Sequence, residues 1–82
     1  MDKATLAEIL NAPIIKRSVM ISGHATSVSI EKPFWDILKK SAQEQETSIN
    51  KLITLIDDAR PKTTHNVNLS SAIRLYVLNR LK

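Results

Sequence analysis

The stretch that decides the fold is residues 26–38, which read TSVSIEKPFWDIL. Its first five residues alternate, with Val28 and Ile30 on one face of an extended strand and Ser27 and Ser29 on the other. After residue 30 the alternation gives way to helical spacing, and the proline of the stretch falls in the first helical turn, where a missing N–H costs nothing. The stretch therefore predicts a short strand followed directly by a helix.

A second extended run lies just upstream, at Ile14–Ile21, and is rich in β-branched residues. Between the two runs stand Ser22 and Gly23, the strongest turn signal in the chain because Gly23 is its only glycine. The two runs therefore predict a β-hairpin. Arg17 falls on the apolar side of the first strand, where it interrupts the pattern.

Apolar spacing predicts two helices after the strand. The first has a buried stripe at i, i+4 and i+8, made by Phe34, Leu38 and Ala42, with Trp35 at its edge. The second begins from an N-cap at Thr47 or Ser48 and ends near Ala59. The apolar positions of this second helix are Ile49, Leu52, Ile53 and Ile56.

A third helix is predicted at the carboxyl end, capped by Asn68 or Ser70 and running to Leu81. Because it is apolar on most of its circumference, we expect it to be buried on more than one side, which in a chain this short implies a partner subunit. The polar segment Pro61–Asn66, which precedes it, predicts a surface loop.

The chain of 82 residues predicts one domain in three parts. Residues 1–13 form an arm or short helix, residues 14–60 the hairpin and two-helix core, and residues 61–82 the loop and last helix. The fold class is mainly α with a short β ribbon. A core this small is often reinforced by disulfides, a metal or oligomerisation. Cysteine is absent, so oligomerisation is the expected reinforcement.

The net charge of +4 is unevenly distributed. Every acidic residue lies before residue 59, and the basic residues beyond that point are Arg60, Lys62, Arg74, Arg80 and Lys82. A basic end indicates a polyanionic partner, nucleic acid first. A solvated helix face is the plainer interpretation of the same charges.

Other classes of function find little support in the sequence. There is no cysteine nucleophile, no glycine-rich phosphate loop and no Gly-x-Ser-x-Gly turn, so we expect no enzyme, no catalytic residue and no cofactor. His24 and His65 stand far apart with no motif joining them, so we expect no metal site. With neither a signal sequence nor a run long enough to span a membrane, the expected location is the cytoplasm.

The segment from residue 26 to TSINKLI at residues 47–53 resembles the ribbon-helix-helix superfamily. Two longer strings, KRSVMISGHATSVSIE at residues 16–31 and NLSSAIRLYVL at residues 68–78, resemble a branch of short bacterial proteins of alphaproteobacterial type. The resemblance covers roughly residues 16–81.

The resemblance implies an intertwined homodimer in which two chains pair Thr26–Ile30 into an antiparallel ribbon that lies in the major groove of double-stranded DNA. It implies that the outward side chains of that strand reach base edges: Ala25, Ser27 and Ser29. It also implies that the start of the second helix binds a phosphate through Ser48, Asn50 and Lys51. The expected dimer core consists of Val28, Ile30, Phe34, Leu38, Leu52, Ile53 and Ile56.

The outward face departs from the usual pattern, because it lacks the long polar side chains that make bidentate contacts with bases. The added strand Ile14–Ile21 either widens the ribbon or covers its reading face. If it widens the ribbon, Lys16, Arg17 and His24 could supply the missing contacts. The function expected is that of a transcriptional regulator or autoregulating antitoxin. The alternative is a protein-interaction or oligomerisation module that does not bind DNA specifically, whose last helix would bind a partner or form a tetramer.

Overall fold

The computed structural model describes residues 1–61 and 68–82, so most of the predicted loop Pro61–Asn66 lies outside the described residues. A short helix and a two-stranded antiparallel hairpin precede three further helices. In chain order the elements are α1 (Lys3–Leu10), β1 (Ile14–Ile21), β2 (His24–Glu31), α2 (Lys32–Glu44), α3 (Ile49–Ala59) and α4 (Leu69–Arg80). The predicted hairpin and the three predicted helices after it are confirmed.

The hairpin turns through Ser22 and Gly23, whose φ angles are 51° and 81°. Two successive positive φ angles define the type I′ turn, whose twist matches that of the flanking strands. The turn fixes a register that runs from Ile21 opposite His24 to Ile14 opposite Glu31. β1 therefore lies beside β2 and widens the ribbon. The predicted strand Thr26–Ile30 falls within β2 and pairs with β1 of its own chain.

The inner face of the hairpin packs on the helices to form the core. Most of the residues predicted to form a dimer core are already buried within one chain: Val28, Ile30, Leu38, Leu52 and Ile53. The other two, Phe34 and Ile56, are partly buried against the same cluster. Trp35 is buried too, because its indole N–H donates to the carbonyl of Ile15 at 2.8 Å and turns the ring under β1. Trp35 is thus part of the core.

Helix α4 packs against α2, α3 and β2 and completes this core. It begins at the predicted N-cap Asn68, whose side chain accepts from the N–H of Ser71 at 2.8 Å. Ile73 and Val77 are almost completely buried against α2, α3 and β2. Within one chain α4 is buried on the side of Ile73 and Val77, whereas Leu75 and Leu78 on its other side stay exposed, so the burial expected on more than one side is reached only in part.

Polar contacts fix α4 against α2 and the end of β2. Arg74 pairs with Glu31 at 3.1 Å, and its guanidinium lies over the ring of Phe34. The Tyr76 hydroxyl shares a hydrogen bond with Ser41 and accepts from the amide of Gln45. Hydrogen bonding to the backbone N–H of Glu31, and then to Arg74, lowers the pKa of the Glu31 carboxyl. Glu31 is therefore ionised at neutral pH, and its contact with Arg74 weakens as the pH falls through its lowered pKa.

Helix α1 buries none of its residues, and Leu6, Ile9 and Leu10 are exposed along it. The side chain of Asp2 caps it by accepting from the N–H of Thr5 at 2.8 Å. The sequence left open an arm or a short helix at the amino end; the structure has the short helix, which lies outside the core.

Two substitutions in the turn at Ser22 and Gly23 should change the unfolding free energy in opposite directions. Gly23→Ala places a Cβ in the left-handed region without any steric clash nearby, so the expected loss is about 1 kcal/mol of unfolding free energy from backbone strain alone. Ser22→Asn, in contrast, should stabilise the fold by about 0.5 kcal/mol, because asparagine followed by glycine is the favoured type I′ sequence. Urea denaturation followed by the fluorescence of Trp35 measures both changes. Equal effects of the same sign would contradict the assigned turn.

Candidate functional site

The outer face of the hairpin is exposed and carries four of the predicted DNA-contact residues. These are Lys16 on β1 and Ala25, Ser27 and Ser29 on β2. The register places Lys16 opposite Ser29, and Ser18 opposite Ser27. Ser18 is not among the predicted contact residues, although a two-residue turn at Ser22 and Gly23 already implies its pairing with Ser27. The face is therefore a small, hydroxyl-rich surface with one cation, and it also carries the exposed apolar side chains of Ile14 and Met20.

Arg17 and His24 lie on the opposite face of the hairpin. They pair with Val28 and Ile21, both of which point into the core, and side chains directly opposite in an antiparallel pair share a face. The six predicted DNA-contact residues therefore do not share one surface. Arg17 remains exposed, with its guanidinium carbon 5.5 Å from the centre of the Trp35 ring. Such stacking restricts a planar guanidinium to a narrow set of orientations.

Arg17 borders a groove between β1 and the start of α3. The groove has a volume of about 380 Å³ and is lined by Arg17, Ser18, Val19, Trp35, Ser48, Ile49 and Asn50. The groove therefore brings together Arg17, which was expected to contact DNA, and Ser48 and Asn50, which were expected to bind phosphate. The third of those, Lys51, is exposed on the next position of α3 but does not line the groove.

The start of α3 has the features of an anion-binding helix end. Ser48 is its N-cap, and the Ser48 hydroxyl accepts from the N–H of Lys51 at 3.0 Å. The first N–H groups of a helix have no partner within the helix, and the helix dipole concentrates positive potential there. With Arg17 across the groove, this potential is reinforced by a full charge.

The cations of the chain divide into paired and unpaired sets. Within the described residues, four cations form ion pairs with acidic side chains: Lys32, Arg60, Arg74 and Arg80. Three of the residues that made the carboxyl end basic in sequence are therefore largely neutralised by the fold. In the same part of the chain, seven cations have no acidic side chain within ion-pair distance: Lys3, Lys16, Arg17, Lys39, Lys40, Lys51 and Lys82. Three of them, Lys16, Arg17 and Lys51, lie on β1 and in the first turn of α3. Charge that a polyanion could use is thus present around β1 and the start of α3.

The described part of the chain contains neither a cluster of metal-binding side chains nor a helix suited to crossing a membrane. No three histidine, cysteine or acidic side chains there come together as metal ligands would. Nor does any helix within these ranges have the length and apolar character needed to cross a membrane.

Comparison with known proteins agrees with the architecture. A family model described as ribbon-helix-helix domain matches residues 14–81. Among solved structures, an uncharacterized protein from Bordetella pertussis Tohama I is similar, with 27% sequence identity and a TM-score of 0.74. That similarity covers 98% of this chain and 69% of the other. No curated protein matches.

Two substitutions at the N-cap of α3 separate the effect of the cap on stability from the effect of a charge placed in the groove. Ser48→Ala removes the cap and should lower the unfolding free energy by about 1 kcal/mol. Ser48→Asp keeps a capping oxygen, so the stability should stay close to that of the wild type, while a negative charge enters the groove. Thermal unfolding measures both variants. A Ser48→Asp variant as unstable as Ser48→Ala would contradict the capping role.

Proposed function

Because the chain belongs to the ribbon-helix-helix domain family, a fold used by DNA-binding regulators rather than enzymes, we propose that it binds double-stranded DNA as a homodimer and regulates transcription. One observation carries the proposal: β1 lies beside β2 and leaves the hydroxyl-rich outer face open, next to the groove that holds Arg17 and the start of α3. The proposal places the protein in the cytoplasm, where bacterial DNA lies.

The outer face is the part that would enter the major groove, which is wide enough for a two-stranded ribbon. Ser18, Ser27 and Ser29 would donate to or accept from base edges. Ala25 would contact apolar atoms such as a thymine methyl group. Lys16 is the one long cationic side chain on this face and would contact a guanine or the nearest phosphate.

The groove beside β1 would hold a backbone phosphate. The first N–H groups of α3 would donate to the phosphate oxygens, as helix starts do in many phosphate sites. Arg17, oriented by Trp35, has the planar donor geometry that matches a phosphate from the other side. Asn50 lines the same groove, and Lys51 adds charge one residue further on.

Specificity should be modest in this arrangement. A serine hydroxyl cannot bridge two atoms of a base edge, whereas a good bidentate side chain contributes about 1–3 kcal/mol of discrimination. Phosphate contacts contribute affinity without selecting a sequence. A near-palindromic site, read once by each chain of a dimer, would raise the selectivity that a single ribbon lacks. His24, on the opposite face and near the turn, has no part in this proposal.

The proposal is tested by titrating DNA at several salt concentrations. The wild type should bind a duplex with an affinity that falls steeply with salt, because each phosphate contact contributes about −0.9 to the log–log slope. Lys16→Ala/Arg17→Ala should bind more weakly and with a shallower slope. The matched control Lys3→Ala/Lys82→Ala removes the same two charges from the ends of the chain and should leave the slope almost unchanged.

Ser48→Asp provides an independent test, since it adds a negative charge to the groove while keeping the cap. It should weaken binding by roughly tenfold or more at low salt, through repulsion of the phosphate and loss of a charge-assisted contact. If both double variants lose the same affinity, the binding is a non-specific effect of net charge. If the wild type does not bind any duplex at low salt, the DNA-binding proposal is wrong.

A second candidate, an interaction module, is favoured by apolar residues left on the surface. Leu75, Leu78 and Leu81, at the carboxyl end of the chain, are 59%, 53% and 64% exposed. Such a stripe is typical of a helix that packs against a protein partner or a second dimer. Sedimentation of the wild type and Leu75→Glu/Leu78→Glu would show whether assembly beyond a dimer depends on these two residues.

A further inference from the structure

The side chains on the outer face of the hairpin form four cross-strand pairs in a fixed order. From the open end of the hairpin to the turn, these pairs are Ile14 with Glu31, Lys16 with Ser29, Ser18 with Ser27, and Met20 with Ala25. The apolar side chains of this face therefore lie at its two ends, and the lysine and the hydroxyls lie between them.

Hydrogen bonding shows that the two side chains of each outer-face pair are close together. The N–H of Lys32 donates to the carbonyl of Pro13 at 2.8 Å, so these two residues form a hydrogen-bonded pair one step past the strands. Bonded and non-bonded pairs alternate along an antiparallel ladder, and counting from Lys32 makes every outer-face pair non-bonded. In such pairs the Cα atoms are about 4.5 Å apart and the side chains approach closely. Met20 and Ala25 therefore form one apolar patch beside the turn.

This apolar patch of Met20 and Ala25 is open to solvent. The side chain of Met20 is 54% exposed, and Ala25 is exposed as well. The next pair on the outer face is Ser18 with Ser27, so the patch is continuous with the hydroxyl-rich surface. One exposed apolar side chain is ordinary on a protein surface, but this one stands on the surface proposed to meet base edges.

The major-groove edges of the base pairs offer one apolar group, which is the C5-methyl of thymine. The other groups on these edges are hydrogen-bond donors and acceptors. An apolar patch placed against a donor or acceptor deprives that group of water without replacing the hydrogen bond. Placed against a methyl group, the same patch removes apolar surface from water on both sides, which is favourable. The patch therefore fits thymine better than any other base.

The apolar side chain at the other end of the outer face, Ile14, has different surroundings. It stands opposite Glu31, whose carboxylate forms an ion pair with Arg74 at 3.1 Å. Burying a methyl contact beside these charged groups removes water from them, which costs free energy. The two pairs nearest the turn contain no charged residue. The turn end is therefore the part of the face suited to an apolar contact with a base.

We propose that Met20, together with Ala25 opposite it, selects thymine methyl groups in the major groove, so that the ribbon prefers A·T-rich DNA. The inference rests on the DNA binding proposed above and names what this surface reads. Each methyl group buried against the patch contributes about fourfold to the affinity. Selectivity then comes from apolar contact at the turn end of the ribbon and needs no bidentate hydrogen bond.

The test compares one A·T-rich duplex of fixed sequence with the same duplex in which deoxyuridine replaces every thymidine. Uracil keeps the hydrogen-bonding groups of thymine and lacks only the C5-methyl. At one fixed salt concentration, the wild type should bind the thymidine duplex roughly fourfold more tightly for each methyl group contacted. Met20→Ser should lose most of this ratio and keep nearly the wild-type affinity for the deoxyuridine duplex.

Two control variants separate this contact from general effects on binding. Ile14→Ser makes a matched change at the other end of the outer face and should keep the wild-type ratio. Arg17→Ala removes a proposed phosphate contact and should weaken binding to both duplexes by the same factor, because phosphate contacts carry no base information.

A further measurement uses the wild type alone. Replacing cytosine by 5-methylcytosine in a G·C-rich duplex adds a methyl group to the major-groove edge and leaves the hydrogen-bonding groups unchanged. The wild type should bind the methylated duplex several-fold more tightly, and Met20→Ser should bind both forms almost equally.

Equal binding of the thymidine and deoxyuridine duplexes by the wild type would overturn the inference and leave DNA binding itself in place. A ratio that persists in Met20→Ser, shown by circular dichroism to be folded, would also overturn it, as would a ratio lost equally in Ile14→Ser. Should Met20→Ser fail to fold, the methylated G·C-rich duplex decides, and no gain in affinity there contradicts the inference. If the wild type binds neither A·T-rich duplex at low salt, the proposed DNA binding is wrong and this inference with it.

Discussion

The structure depends on the antiparallel pairing of β1 with β2 inside one chain. The type I′ turn at Ser22 and Gly23 fixes which residues face each other, and a shift of one residue would move every inward side chain to the outer face. Val28 and Ile30 reach the core, and the serines stay outside, because of this one register. The position of Arg17 over Trp35, and hence the groove beside β1, follows from it as well.

The structure also depends on α4, which completes a core that the two strands with α2 and α3 alone would leave open to solvent. Ile73 and Val77 fill the space between α2, α3 and β2, and the polar contacts of Arg74 and Tyr76 set the position of the helix. The residues expected to form a core between two chains are mostly buried before a second chain arrives. A contact between two chains would therefore be made by residues that a single chain leaves exposed, Leu75 and Leu78 among them.

The fold also redistributes the charge on which a nucleic-acid partner would depend. The basic residues at the carboxyl end are largely paired with acids from earlier elements, as Arg74 is with Glu31 and Arg80 with Glu44. Lys16, Arg17 and Lys51, which have no acidic partner in the described ranges, lie around β1 and the start of α3. Net charge indicates the kind of partner, but the ion pairs of individual side chains decide which of the basic residues remain available to it.

The sequence by itself determined the elements, because strand alternation, turn residues and helix caps are local properties. The strand within residues 26–30, the turn at Gly23 and the caps at Ser48 and Asn68 could all be predicted from neighbouring residues. Only the tertiary structure decided that Trp35 lies under β1, that Arg17 faces the start of α3, and that α4 contacts the end of β2. Each of these brings together residues that are far apart in the chain and belong to different elements, and no periodicity within one element contains that information.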